Sequence, residues 1–221
     1  MLPRGRTRAL VFALLILSGP GPALAQSAGA AYGAAEVLPP GAHMHDGGYL
    51  RLQLGFDWTG ISAHAAGSDV AYDGWGGSIA VALGISVGAH QILYLEALDA
   101  GAWDGVIDGR AGRPSMGTDV IGIGPGTARY FGPNLFVAAT ALFATAQLTD
   151  DDGNTIQASR LGFALELLAG KEWWISDNWG LGASGQLIVG VMGGKDSDPN
   201  LNAVPRWNTT SFSLLMSATY N

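Results

Sequence analysis

The sequence contains no cysteine and unusually few charged residues. Charged side chains make up 13% of the chain, about half of the ~25% found in a typical soluble domain. Disulfide bonds are therefore excluded as a source of stability. After the first 25 residues, the chain also lacks the uninterrupted run of ~20 apolar residues that a membrane-spanning helix needs. This argues against a helical membrane protein.

Residues 1–25 have the three parts of a secretory signal peptide. Three arginines fall within the first eight residues, residues 9–17 form an apolar core, and small residues lead to a cleavage site after Ala25. This core is too short to cross about 30 Å of hydrocarbon as a helix, so we predict cleavage and export rather than an anchor. Residues 26–48, rich in Ala, Gly and Pro, are predicted to form a flexible lead-in.

The charge balance of the predicted mature chain is acidic. Cleavage would remove three of the 11 basic residues and none of the 18 acidic ones, leaving a net charge near −10 with His neutral. Such a chain repels the phosphates of nucleic acids. We therefore expect no nucleic-acid partner.

Residues 49–58 alternate strictly between two kinds of side chain. One set is Leu50, Leu52, Leu54, Phe56 and Trp58, and the other is Tyr49, Arg51, Gln53, Gly55 and Asp57. A period of two is that of a β-strand, whereas a helix would scatter both sets around its axis. Seven further segments have strand character: 78–88, 92–103, 120–131, 135–148, 160–174, 179–192 and 210–220.

Two of these segments, the fourth and the fifth, alternate poorly. Their inward faces stay unassigned, because apolar residues occupy both alternating sets. The fifth, residues 135–148, is also rich in alanine, which favours helices. A buried helix is therefore an open alternative to a strand there.

The connections between the segments alternate in length. Tight turns are predicted at 89–90, 132–134 and 176–178, and longer polar connections at 59–74, 104–119, 150–157 and 193–207. Outer-membrane barrels have short periplasmic turns and long outer loops in the same alternation. Because unpaired strand edges are costly in lipid, we predict an all-β fold: a closed, eight-stranded antiparallel transmembrane β-barrel with up-and-down topology over residues 49–221.

Aromatic residues fall near the ends of the predicted strands. We predict two girdles at the membrane–water boundaries. Their members are Trp58, Trp75, Trp103 and Trp207 at the long-loop end, and Trp173, Trp174, Trp179 and Tyr220 at the tight-turn end.

With these features the chain resembles the small bacterial outer-membrane β-barrel proteins of the OmpA-, OmpX- and OmpW-like kind. The resemblance rests on the alternation of residues 49–58, on the stretch GKEWWISDNWGLG at 170–182 and on the closing strand through Tyr220. It covers nearly all of the predicted mature chain, as architecture rather than as a specific motif. The resemblance implies a place in the outer membrane of a Gram-negative bacterium and insertion by the barrel-assembly machinery, which usually reads a terminal aromatic residue. Here Tyr220 is penultimate.

Several charged residues are predicted to face the narrow lumen. They are Arg51, Asp57, Glu96, Arg160 and Glu166. Isolated charges are costly in such an interior, so these side chains should pair into a polar network. The network is either a purely structural core, the more conservative interpretation, or a gate.

Two histidine-containing stretches have residue types found in chemical sites. His43 and His45 beside Asp46 have the residue types of a metal site, but no second cluster accompanies them, and we expect a solvated tail. His64 lies near Ser62 and Asp69 in a predicted loop, which is weak support for a hydrolase triad. We therefore predict no catalytic residue, no metal and no cofactor.

The leading functional hypothesis is a non-enzymatic barrel with a structural or surface role, its long loops exposed outside the cell. A narrow OmpW-like, porin-like channel for small or apolar solutes is the alternative. A lipid-modifying hydrolase centred on His64 is a third hypothesis. The expected partners are outer-membrane lipid, lipopolysaccharide and the barrel-assembly machinery, and the expected state is a monomer.

Overall fold

The computed structural model describes residues 43–65, 68–107, 116–150, 154–194 and 206–221. The signal peptide predicted at 1–25 and residues 26–42 of the predicted lead-in lie outside these ranges. Within the described ranges, no helix is long and apolar enough to cross a membrane. The strands are β1 Gly48–Ala65, β2 Ser68–Gly88, β3 Gln91–Ile107, β4 Met116–Phe131, β5 Leu135–Thr149, β6 Thr155–Ala158, β7 Gly162–Trp174, β8 Trp179–Gly193 and β9 Arg206–Tyr220.

Eight of these strands close into a barrel. The long strands pair antiparallel in chain order, and β1 also pairs with β9, from Leu50 opposite Tyr220 to His64 opposite Arg206. The short β6 pairs with β5 alone. Its partners, residues 147–149, follow Ala144, the last residue of β5 that pairs with β7. The predicted eight-stranded up-and-down barrel is confirmed, and its fifth segment is a strand rather than a helix.

Side chains alternate across the barrel wall as the period of two requires. On β1, Arg51, Gln53 and Asp57 are buried inside, whereas Leu54 and Phe56 are exposed outside, Phe56 by 77%. The structure also settles the faces that the sequence left open. On β5, apolar side chains such as Leu142 point inward while others such as Phe143 point outward.

The tight turns join the strands at one end of the barrel, which we call the tight-turn end; the opposite end is the long-loop end. Turns fall at 89–90 and 132–134, as predicted. In the second, Gly132 and Asn134 adopt positive φ angles of 45° and 63°, which these two residue types tolerate best.

The predicted loop at 59–74 is wrong, because it is largely a hairpin. β1 continues to Ala65 and β2 begins at Ser68. Inward-facing Ile61 and Tyr72 are buried, and the β-ladder continues to the pair Ala65 and Ser68. Its Gly, Ser and Asp residues give this stretch the composition of a loop.

The other long connections are also shorter than predicted. Part of 150–157 is β6, β3 extends to Ile107, and β4 begins at Met116. Residues 108–115 and 195–205 lie outside the described ranges.

Glycines make room for large rings inside the narrow barrel. A Cβ atom at Gly126 would lie 2.3 Å from the ring of Tyr94, and one at Gly105 would lie 1.7 Å from that of Tyr72. Both distances are far below van der Waals contact. These strand positions therefore accept only glycine while the tyrosines point inward.

Candidate functional site

The outer wall of the barrel carries a continuous apolar surface on every long strand. Large apolar side chains that would be buried in a soluble protein are exposed here. Examples, one from each strand, are Phe56, Leu83, Leu95, Ile123, Val137, Phe163, Leu181 and Leu214. This is the reverse of a soluble domain, in which large exposed apolar patches are rare.

The structure places most of the predicted girdle residues on the outer wall. Trp75 and Trp103 are exposed at the long-loop end, with the half-buried Trp58 directly opposite Trp75. Trp173, Trp179 and Tyr220 are exposed near the tight-turn end.

Two tryptophans do not belong to the girdles as predicted, because they point inward. Trp174 follows the outward-facing Trp173, so strand alternation turns it into the barrel end, where it stacks on His43. Trp207 shares its side of β9 with Ser211 and Ser213 and is only 2% exposed. Alternation along the predicted segment 160–174 would have identified Trp174, whereas Trp207 lay in a predicted loop that the structure shows to be the start of β9.

A buried ion pair lies near the middle of the lumen. Arg51 Nη2 lies 3.3 Å from Glu96 Oε2, and both side chains are fully buried. The guanidinium also lies over the rings of Tyr94 and Phe136, 5.3 and 5.4 Å from their centroids. Thr140 donates a hydrogen bond to the other carboxylate oxygen of Glu96. The pair is therefore enclosed by protein groups on several sides.

A second set of hydrogen bonds joins Glu166 to Asp57 across the lumen. Gln186 donates from Nε2 to Glu166 Oε1 at 2.6 Å. The Ser213 hydroxyl lies 2.7 Å from Gln186 Oε1 and 2.6 Å from Asp57 Oδ1. Ser211 also donates to Asp57. Hydroxyl and amide groups, rather than cations, thus contact these two carboxyl groups, while Glu166 Oε2 is buried with no hydrogen-bond partner among the described residues.

The sequence reasoning missed a further inward carboxyl group, that of Glu172. Tyr130 donates to it at 3.1 Å and Thr219 at 2.7 Å. Glu172 lies an even number of residues after Glu166 on β7, so alternation placed it inside. Its position was therefore predictable.

Arg160, by contrast, is not in the lumen as predicted. It lies between β6 and β7, where it is exposed, and its backbone N–H donates to the Gly193 carbonyl at 2.6 Å. The break between the two strands interrupts the alternation on which the prediction depended. The lumen of the described residues therefore holds one arginine, Arg51, and four carboxyl groups, those of Asp57, Glu96, Glu166 and Glu172.

Toward the long-loop end, apolar side chains fill the lumen. Most of the strands contribute to this cluster, which we call the apolar plug. Its large members are Ile61, Leu98, Leu142, Ile188, Met192 and Trp207. All are buried, and small alanines of β2, β3, β5 and β7 pack around them. Apolar side chains therefore occupy the lumen between the ion pair and the long-loop end.

The tight-turn end is covered by residues 43–47, which we call the end segment. The solvated tail predicted there is wrong for His45, which is 2% exposed. Its Nδ1 lies 2.8 Å from Asn221 Oδ1, and its ring lies 3.8 Å from that of Tyr130, centroid to centroid. His43 stacks on Trp174 with a centroid distance of 3.5 Å.

Backbone and amide bonds also fasten the end segment to the barrel. Ser86 N donates to the Gly47 carbonyl at 2.9 Å, and the Asn221 side-chain amide donates to the Gly48 carbonyl at 2.9 Å. His43 N donates to Asn134 Oδ1 at 2.8 Å. Asn221, which follows β9, thus bonds both to His45 of the end segment and to Gly48, the first residue of β1.

Burial makes both histidines of the end segment weak bases. Desolvation lowers the pKa of His45 to about 4, with further lowering by His43 and His90 and opposition from the Asn221 hydrogen bond. Desolvation also lowers the pKa of His43, against the attraction of Asp46 and Asp177. At neutral pH both imidazoles are therefore uncharged. Among the described residues, no cluster of three or more His, Cys, Asp or Glu side chains has the geometry of a metal site.

The candidate hydrolase residue His64 lies on β1 opposite Asp69 of β2. The side chains of residues 63–70 lie outside what the structure describes. Asp73 is exposed on the outer face of β2, two pairs beyond Trp75.

The closed ladder, the apolar outer wall and the polar lumen together define a class of protein. Only a closed barrel leaves no unpaired backbone edge in lipid, and an apolar wall with aromatic girdles is the surface of such a barrel in the outer membrane. This chain is a small, eight-stranded outer-membrane β-barrel protein.

Comparisons with known proteins found similar chains among solved structures. No protein-family model and no curated protein matches the chain. Among solved structures, Neisserial surface protein A is 14% identical, with a TM-score of 0.47 over 76% of this chain and 95% of its own. AlkL, solved in DMPC bilayers, is 13% identical, with a TM-score of 0.48 over 86% and 95%. The outer-membrane protease OmpT of Escherichia coli is 10% identical, with a TM-score of 0.40 over 80% and 97%. At this level the likeness concerns the fold and not a function.

Proposed function

We propose that this protein is a non-conducting, non-enzymatic barrel with a structural and surface role. The observation that carries the proposal is the filled lumen. The apolar plug occupies the long-loop half of the lumen. The buried pair of Arg51 and Glu96 lies nearer the tight-turn end. Eight-stranded barrels have interiors just wide enough for side chains to fill, and here both polar and apolar side chains fill the space.

Part of the long-loop end, beyond the tryptophan girdle, consists of paired strands rather than loops. Beyond Trp58 and Trp75, β1 and β2 continue as a hairpin, and β9 pairs with β1 up to His64. Residues 59–65 extend the wall by roughly 20 Å along the strand. Three paired strands beyond the girdle support a role in contact with the cell surroundings.

The proposed partners follow from the surface. Exposed apolar side chains occur on all eight long strands, which supports a monomer surrounded by lipid and lipopolysaccharide. Insertion would depend on the barrel-assembly machinery, for which Tyr220 is the outward-facing aromatic residue nearest the C-terminus.

Conductance measurements test the proposal directly. Refolded protein in a planar bilayer at neutral pH should show no stable steps. A double variant, Trp207→Ala with Ile188→Ala, removes the core of the apolar plug and should give small, frequent openings. Trp103→Ala, on the outer wall, is the matched control and should stay silent. Stable steps in the unmodified protein would refute a closed lumen.

A second candidate function, passage of apolar solutes, is favoured by one break in the wall. The β4–β5 ladder skips Gly124 and Pro125, and proline has no N–H to donate. An apolar groove on the outer wall, bounded by Pro125, Phe143 and Phe163, lies at this break. Uptake of an apolar fluorescent solute into liposomes, reduced by Pro125→Val, would favour this function over the first.

Enzyme activity has a simple test. Wild type and His64→Ala should both fail to turn over labelled lipid A or a labelled peptide. Turnover by the wild type that His64→Ala abolishes would support the hydrolase hypothesis and contradict the non-enzymatic role.

A further inference from the structure

The end segment differs from the rest of the barrel in how it is held. The wall of the barrel is held by hydrogen-bonded ladders between neighbouring strands, whereas the end segment lies outside the strands. It is held by one imidazole hydrogen bond, two ring stacks and a few backbone bonds. Such a peripheral segment can open without unfolding the barrel.

His45 is the centre of these contacts. Its ring is 2% exposed and lies between Tyr130 and Asn221, with His43 at 5.2 Å in an edge-to-face arrangement. The buried Nε2 atom of His45 has no hydrogen-bond partner among the described residues. A neutral ring can leave this atom unprotonated there, but a protonated ring would bury an unpaired N–H and a positive charge.

We propose that the end segment is an acid-released stopper over the tight-turn end of the lumen, held in place while His45 is neutral. The inference is independent of the proposed surface role, since it concerns the opposite end of the barrel.

The groups around His45 favour release on protonation. The ring contacts His43 of the end segment, Tyr130 of β4, Trp174 of β7 and Asn221, and His90 of the first turn acts on its charge. Asp46 and Asp177 act on His43, and Glu172 accepts a hydrogen bond from Tyr130. Two of these groups are histidines that repel a charged His45. Glu172 is occupied by the hydroxyl groups of Tyr130 and Thr219.

The sign and size of the effect follow from linkage. The pKa of His45 is lowered from 6.5 to about 4 when the segment is packed. The released segment therefore binds more protons, and packing weakens as pH falls below 6.5. The opening equilibrium should rise roughly 20-fold by pH 5 relative to pH 7, and the effect saturates below pH 4.

Release of the end segment would uncover the polar residues at the tight-turn end of the lumen. Tyr130 and Glu172 lie directly behind the end segment, through the contact of His45 with Tyr130. The apolar plug at the other end contains no titratable group. Acid would therefore open one end and leave the other closed.

A single spin label tests the proposal in the full chain. The protein has no cysteine, so Met44→Cys supplies the only thiol. Met44 is 53% exposed beside His45. A nitroxide there should be immobile at pH 7.5 and become mobile as pH falls between 6.5 and 4. The same label at Asp73→Cys, near the long-loop end, should show no such transition. A transition at both sites would mean general unfolding and would overturn the proposal.

Two replacements of His45 separate its role from that of nearby carboxylates. His45→Phe keeps the ring on Tyr130, and His45→Gln keeps a donor for Asn221. Loss of the transition in either variant supports the proposal, whether the label is then immobile or mobile throughout. His64→Asn, in the distant hairpin, is the matched control and should keep the wild-type transition. An immobile label in the wild type at pH 4, or an unchanged transition in both His45 variants, would overturn the proposal.

Discussion

The two ends of the lumen are closed in different ways. At the long-loop end, the apolar plug consists of side chains that belong to the wall, so it can open only if the wall deforms. At the tight-turn end, the end segment is a separate piece of chain held by hydrogen bonds and ring stacking. The first closure depends on apolar burial, which is insensitive to pH, and the second depends on uncharged imidazoles. Closure can thus be permanent at one end of a barrel and conditional at the other.

The largest effect should come from the apolar plug. Trp207→Ala removes a side chain that is almost fully buried, and we expect a loss of about 3–5 kcal/mol in the free energy of unfolding. Urea unfolding in lipid vesicles, followed by tryptophan fluorescence, measures it. Trp103→Ala, on the outer wall, should cost clearly less. Equal losses would mean that Trp207 does not occupy a packed interior.

Breaking the ion pair between the two ends should cost nearly as much. Arg51→Met leaves Glu96 buried without its cation, and we expect a loss of about 3 kcal/mol. Adding Glu96→Gln should restore much of the loss, because the remaining group is neutral and can still accept from Thr140. A double variant as unstable as Arg51→Met would show that the pair is not the cause.

At the tight-turn end the expected effects are smaller. Asn221→Ala removes the bonds to His45 and to the Gly48 carbonyl, which together contribute about 1–2 kcal/mol. Hydrogen exchange should increase in residues 43–50 and stay unchanged around Ile188. Faster exchange in the apolar plug as well would contradict the independence of the two ends.

The smallest effect separates the two closures by pH. The lowered pKa of His45, about 4, predicts that stability falls by about 1 kcal/mol at pH 5.5 relative to pH 7.5. This contribution is full above pH 6.5 and is lost as pH falls toward 4. The difference in unfolding free energy between wild type and His45→Phe at the two pH values isolates it. A difference that does not change with pH would contradict the assignment.

Much of the fold could be predicted, because lipid on one side enforces alternation. The strict pattern of residues 49–58 fixed the inward position of Arg51 and the outward position of Phe56. Applied consistently, the same rule would have placed Trp174 and Glu172 inside, but it could not reach Trp207, which lay outside the predicted strand 210–220. It failed at Arg160, where a break between β6 and β7 changes the phase of the strand.

The closures at both ends were harder to predict. Inward-facing Leu142 and Ile188 are as apolar as the lipid-facing residues beside them, so composition could not distinguish the plug from the outer wall. The contacts of His45 with Asn221 and Tyr130 join residues distant in sequence, and a lead-in rich in Ala, Gly and Pro gives no local sign of them. The predicted signal peptide, 1–25, stays a prediction.

Water access to the lumen tests the central claim, that the barrel interior is closed. In the cysteine-free chain, Gln53→Cys places a thiol in the middle of the lumen, and Asp73→Cys places one on the exposed hairpin. At neutral pH in lipid vesicles, a small water-soluble thiol reagent should modify Asp73→Cys rapidly and leave Gln53→Cys unmodified. Modification of both at similar rates, with the barrel still folded, would contradict a closed interior.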